Sequence, residues 1–228
     1  MWLMTPPLTR TPPTTRTGSR TAGLWWLALS AAAIAVFAPL PYLTTPLHDL
    51  AADDSGLAAN YADRAPWLRA AFYVHVVGGG LVLLLSPLQL SSRLRSRAPK
   101  AHRACGRIVL SVIMVAGIAG LLMAPFNMAG PLGVAGFGML AVLWTACAVA
   151  AYSTVRRRDI AAHRRWALRL FALTYAGVTL RLWMIVLTAL QPGVAPETAF
   201  DRAYLLVPFL CWVPNLLIAE RFHIRRAP

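Results

Sequence analysis

Apolar residues gather in six stretches along the chain, approximately from Leu24 to Leu43, Trp67 to Leu90, Gly106 to Pro125, Pro131 to Ser153, Trp166 to Leu190 and Ala203 to Arg221. About 20 such residues, at roughly 1.5 Å of rise each, cross the ~30 Å hydrocarbon core of a bilayer. The pattern therefore predicts an all-α, polytopic membrane bundle of six transmembrane helices joined by short polar segments. Pro39 and Pro41 fall near the end of the first stretch and soften its boundary.

Composition narrows the class. Of the 228 residues, 58% are hydrophobic and only 13% charged, against about 25% charged in a soluble domain. A soluble fold is excluded, and so is a disordered chain, which cannot stay solvated when this apolar. The formal charge of +14 could point to nucleic acid, but the arginines sit at the ends of the apolar stretches and argue for no nucleic-acid partner. Cys105, Cys147 and Cys211 are isolated and form neither a disulfide framework nor a metal-binding pair.

Sorting the basic residues orients the helices, because Lys and Arg are retained on the cytoplasmic side. With the N-terminus inside, all but Arg64, Arg69, Arg181 and Arg202 of the 22 basic residues fall in the cytoplasmic segments or tails. Asp49, Asp53, Asp54, Asp63, Glu197 and Asp201 fall on the other side. The expectation is a multi-pass protein of the cell membrane with both termini cytoplasmic. Residues 1–23, rich in Thr, Pro and Arg, read as a disordered cytoplasmic tail, residues 24–222 as the membrane domain and residues 223–228 as a basic cytoplasmic C-terminus. The SAAAIA run in the first stretch resembles a cleavage site, but its length favours an uncleaved helix.

Two cytoplasmic segments share the spacing R-x-R-x4-H-R. One runs from Arg95 through His102 to Arg103, the other from Arg156 through His163 to Arg164, 61 residues later. Each leads into a helix, so helices two and three and helices four and five read as a parallel hairpin repeat. The same arginines serve as topology signals and as contacts for anionic lipid at the cytoplasmic face.

An ionisable side chain at membrane depth costs at least about 2.5–3.5 kcal/mol, so it needs a partner, a cavity or a task. His75 lies eight residues inside Trp67 and Arg181 nine residues inside Leu190, roughly 12 and 14 Å from the outer ends of their helices. Their matched depth predicts a shared, outward-facing cavity with Tyr73, Trp183 and Tyr204 as neighbours. Gly78 and Gly79 follow on the His75 face, and the run Gly78-Gly79-Gly80 allows close approach of a helix or of a flat ligand. Asn215, just after Pro214 in the last helix, is placed to satisfy a freed carbonyl, to reach another helix or to join the ligand site.

The inner face gathers His102, His163, Arg103, Arg164 and Glu220. These residues admit an inner salt bridge, a proton acceptor, or ligation of a metal or haem with His223, while Met184 lies near His75 in depth as a conceivable axial ligand. No HxxxH, HExxH or CxxCH spacing supports a metal, and the flanking arginines oppose a nearby cation. No GxSxG element or nucleotide-binding glycine loop is present, which points away from an ordinary hydrolase.

The strings FYVHVVGGGLVLLLSPLQL, LRSRAPKAHRACGRI, HRRWALRLFALTYAGVTLRLW and CWVPNLLIAE resemble the predicted membrane family called domain of unknown function 2306, over roughly Trp67 to Glu220. The resemblance implies a membrane fold and sets His75, His102, His163, Arg164, Arg165, Arg181, Asn215 and Glu220 on the family's hallmark strings; it implies no activity. Three roles follow as expectations. The first is binding or transport of a small anionic or carbonyl-bearing ligand by His75, Arg181 and Asn215. The second is a membrane oxidoreductase holding b-type haem or a quinone. The third is a non-catalytic assembly or scaffold subunit.

Overall fold

A computed structural model describes residues 17–52 and 57–224. It contains helices and connecting turns, with no strand among the described residues, and six of its helical stretches are long and apolar enough to cross a membrane. Consistent with that solvent, large apolar side chains such as Trp26, Val115 and Ile185 are exposed, as expected where lipid takes the place of water.

The first crossing consists of α1 (Thr17–Phe37) and the short α2 (Leu40–Thr44). The helix breaks at Ala38 and Pro39 because the proline ring has no N–H and clashes with the carbonyl one turn back. Helices α3 (Leu47–Ala52) and α4 (Leu57–Ala62) then lead into the second crossing, α5 (Pro66–Leu90), whose first residue is a proline that a helix tolerates at its start. A short α6 (Ser92–Arg97), capped by the Ser91 hydroxyl accepting from the Leu94 N–H, connects to α7 (Pro99–Met123). A 3-10 turn at Ala124–Phe126 follows, and then α8 (Gly130–Arg156).

The last two crossings are both broken. The fifth is α9 (Ile160–Thr174) and α10 (Ala176–Ala189); the sixth is α11 (Pro196–Leu210) and α12 (Val213–Ile218), which ends in a π-helical turn at Ala219–Ile224. Three crossings begin well before the apolar stretches do, at Pro99, Ile160 and Pro196. The arginine-bearing segments are therefore partly helical, and His102 and His163 are each the fourth residue of their helices. Asp159 starts the second of these by accepting from the Ala162 N–H at 2.9 Å.

The main core, formed by residues such as Val82, Ile113, Trp144, Leu173 and Val207, joins α5, α7, α8, α9 and α11. A second cluster, with Leu47, Tyr61, Leu68 and Phe72, fixes α3 and α4 over one end of α5. Small residues bring the helices close: a Cβ at Gly136 would stand 2.5 Å from the Pro208 Cβ and 2.8 Å from the Pro208 carbonyl oxygen. Gly78 lies near Ala116, where an added Cβ would be 3.0 Å from the alanine methyl.

Asn215 joins the two broken crossings. Its Nδ2 donates to the Ala172 carbonyl at 3.2 Å, to the Cys211 carbonyl at 3.0 Å and to the Thr179 hydroxyl at 3.0 Å. Thr179 in turn donates to the Cys211 carbonyl. Pro214 removes one backbone donor from this turn, and the amide brings donors to the same turn. Asn215→Leu is expected to cost about 1–2 kcal/mol, read as a lower unfolding temperature in detergent, while Asn215→Gln should lose less.

Candidate functional site

Between the crossings lies a cavity of about 240 Å³ whose wall takes residues from all six of them. Most of the wall is apolar or aromatic, with Phe72, Phe137 and Trp144 among its larger side chains. A mostly apolar cavity with a few convergent polar groups is the general form of a small-molecule site. It lies toward the end of the bundle that carries α4 and the turn after α7, since Leu57, Tyr61 and Asn127 line it.

Both His75 and Arg181 are in this wall and lie within electrostatic range of each other. The imidazole is fixed on two sides. Its Nδ1 is 2.9 Å from the Ala116 carbonyl, which can only accept, so Nδ1 carries the hydrogen. The ring lies on Gly120, where a Cβ would stand 2.7 Å from Nδ1 and 2.8 Å from Cε1. The neutral ring then has a bare Nε2, and no hydrogen bond from a protein group among the described residues engages it.

Arg181 is half-buried and donates through NH1 to the Gly177 carbonyl, one turn back on its own helix, at 2.8 Å. A guanidinium has five N–H donors, and this is its only hydrogen bond to protein among the described residues. The ion pairs of the described residues are His48 with Asp63 and Arg169 with Glu220, and the described residues of the cavity wall include no carboxylate. Besides His75, the phenols of Tyr42 and Tyr204 and the thiol of Cys211 lie in electrostatic range.

The tyrosines come from stacked rings. Phe72 meets Tyr61 in a stack and Tyr42 edge-on, each with ring centroids 4.9 Å apart. Burial pushes the Tyr61 phenol above its ordinary pKa, partly opposed by Arg64 and by the Asn60 side chain, which keeps it a neutral donor at neutral pH. Asn60 also donates to the Phe126 carbonyl at 2.7 Å and so ties α4 to the turn after α7. The remaining polar wall groups are occupied. Trp144 Nε1 donates to the Thr174 hydroxyl, which donates to the Leu170 carbonyl, and Asn127 spends its amide on the Ala124 and Gly130 carbonyls and on the Ala129 N–H.

The glycine run divides its work. Gly79 and Gly80 line the cavity, with open space beside Gly79, whereas Gly80 approaches Pro39 and the Ala35 carbonyl at the break in the first crossing. Of the three neighbours named from the sequence, Tyr204 is in the wall; Tyr73 packs with the α3–α4 cluster and Trp183 against the main core. Asn215 is not among the wall residues, and Met184 packs against the main core. No local motif marks Tyr42 or Tyr61, and Gly120, which with Gly117 reads from the sequence as a packing glycine, here packs against the His75 ring.

The arginine-rich end is a separate cluster. His163 Nδ1 donates to the Ala151 carbonyl at 2.8 Å, and His102, with Nδ1 buried and unpaired, lies within electrostatic range of His163, Arg95 and Arg103. Arg103 and Arg164 are exposed. Glu220 pairs through both oxygens with Arg169, whose guanidinium also lies 4.5 Å over the Trp166 ring. Among the described residues no three His, Cys, Asp or Glu side chains are grouped to hold a metal ion; the side chain of His223 lies outside them.

A family model described as predicted membrane protein, domain of unknown function 2306, matches residues 72–223. The chain belongs to this family. No curated protein and no solved structure matches it. The family match begins at Phe72 and covers His75, Arg181 and every other family-string residue named from the sequence, while Tyr42 and Tyr61 of the aromatic group lie before it.

Proposed function

We propose that this membrane protein binds a small ligand that presents an anionic or carbonyl oxygen to Arg181 and buries an apolar body in the cavity between its helices. The observation that carries this is the unpaired guanidinium in the wall. A cation held at membrane depth with one backbone acceptor and no carboxylate among the described residues lacks its complement. Arg181 offers several N–H groups in a planar fork suited to an oxygen acceptor, and the Tyr204 phenol lies within its electrostatic range. The excess of arginine at the opposite end of the bundle supports a reading in which the cavity faces the outer side of the membrane.

The test uses the full chain reconstituted in lipid nanodiscs with single-chain probes of matched length. Octanoate or 2-octanone is expected to raise the unfolding temperature in a saturable manner, and octylamine is not. Equal shifts from all three probes would mean general amphiphile partitioning, and the proposal would be wrong.

A further inference from the structure

Arg181 explains half of the polar complement in the cavity, and His75 sets a condition on the other half. The Ala116 carbonyl holds the hydrogen on Nδ1, so the ring cannot switch tautomer without losing that bond. Protonating Nε2 would place a second cation within range of Arg181 in a wall whose described residues include no carboxylate. The other ionisable wall groups among the described residues are Tyr61, Tyr204 and Cys211, all uncharged acids in their ordinary state near neutral pH. Nε2 is therefore an acceptor, while the guanidinium nearby is purely a donor.

A permanently ionised phosphate or sulfonate satisfies Arg181 but meets the lone pair of Nε2 with another lone pair. A hydroxyl satisfies both. Its hydrogen is donated to Nε2, and the electron density that this leaves on its oxygen is received by Arg181 N–H groups. Tyr61 and Tyr204 add further phenols to the same wall, and Phe72, Phe137 and Trp144 suit a ring or an alkyl body.

We infer that the ligand of this cavity is a neutral, weakly acidic hydroxyl compound with an apolar body, of the phenol, enol or quinol class, whose hydroxyl bridges His75 Nε2 and Arg181. This rests on the proposal that the cavity holds a ligand with an oxygen acceptor for Arg181, and it replaces the anionic or carbonyl class named there with an oxygen that carries a hydrogen. No redox step is part of it.

The test compares 4-nonylphenol with its methyl ether, 4-nonylanisole, and with decanoate, by calorimetric titration of the full chain in nanodiscs. The phenol and the ether share an apolar body and an oxygen acceptor, and only the phenol has a donor. The phenol is expected to bind about 10–100-fold more tightly than the ether, and His75→Phe should erase that preference. The wild-type preference stands as evidence even if the variant does not fold. If the ether or decanoate binds as well as the phenol, the hydroxyl assignment is wrong while the cavity still binds an oxygen ligand. If the preference survives in His75→Phe, His75 is not its source. If none of the three binds, both this inference and the proposal beneath it fail.

Discussion

Arg181→Leu is expected to make the ligand-free protein more stable and to leave it without a response to oxygen-bearing probes. The two effects have one cause. The wild-type guanidinium is half-buried among apolar groups, hydrogen-bonded to Gly177 alone and without an acid among the described residues. On insertion scales an arginine at membrane depth costs at least about 2.5–3.5 kcal/mol, and one backbone hydrogen bond returns about 1 kcal/mol of it. A leucine avoids that cost and loses little packing, so the unfolding temperature of the variant should rise, by an amount corresponding to about 1.5–2.5 kcal/mol. Ligand affinity should fall at least tenfold, because a charge-assisted contact of roughly 1.5–3 kcal/mol disappears. Differential scanning fluorimetry with and without octanoate reads both. A variant that is more stable yet keeps the full probe response would show that Arg181 is a tolerated cation with no ligand. Arg181→Lys separates charge from shape, since lysine keeps the cation but not the planar fork.

The stability gain contrasts with Asn215, another polar residue at depth. Asn215 has three acceptors on two broken crossings, so its removal costs stability. Arg181 has one acceptor on its own helix. The difference follows from what each residue joins: Asn215 satisfies carbonyls already fixed in the protein, and Arg181 has N–H groups to spare.

The six crossings were legible because lipid acts on composition. A segment that spans hydrocarbon must be apolar along its length, whatever it packs against. Helix starts were less legible, since the helices run past the hydrocarbon into arginine-bearing segments that hydropathy alone assigns to loops. The local signals were there, in Pro99 at a first helical position and Asp159 as a cap. The pairing of His75 with Arg181 came from counting residues inward from two helix ends, which works because both helices cross the same slab. Tyr42 and Tyr61 escaped for the opposite reason. They reach the Arg181 side only through the folding of α2 to α4 over Phe72, and nothing in the local sequence records that packing. The partner of Glu220 was hidden for a similar cause: Arg169 was one of several inner arginines, and tertiary packing selected it.

Gly136→Ala is expected to destabilise the bundle more than Gly117→Ala or Gly120→Ala. The size of the effect depends on what the methyl meets. At Gly120 an added Cβ would stand 2.7 Å from the His75 Nδ1, at the end of a side chain that can swing, so Gly120→Ala should displace the imidazole from the Ala116 carbonyl and weaken probe binding more than folding. At Gly117 the obstacle is the Thr145 methyl at 2.4 Å, which a rotation of that side chain relieves. At Gly136 the added atom would stand 2.8 Å from both the carbonyl carbon and the oxygen of Pro208, and 2.5 Å from the Cβ of its ring. None of these can rotate away, because a proline ring fixes its own backbone, so α8 and α11 must separate along their contact. Overpacking of this kind costs about 1–3 kcal/mol and more where backbone must move. α11 also carries Tyr204, so the loss should extend to the cavity. The expected order of unfolding temperatures is wild type, then Gly120→Ala, then Gly136→Ala, while the order of octanoate response lost per degree of unfolding temperature lost puts Gly120→Ala first. If Gly136→Ala unfolds at the wild-type temperature, the close contact between α8 and α11 at Pro208 is wrong.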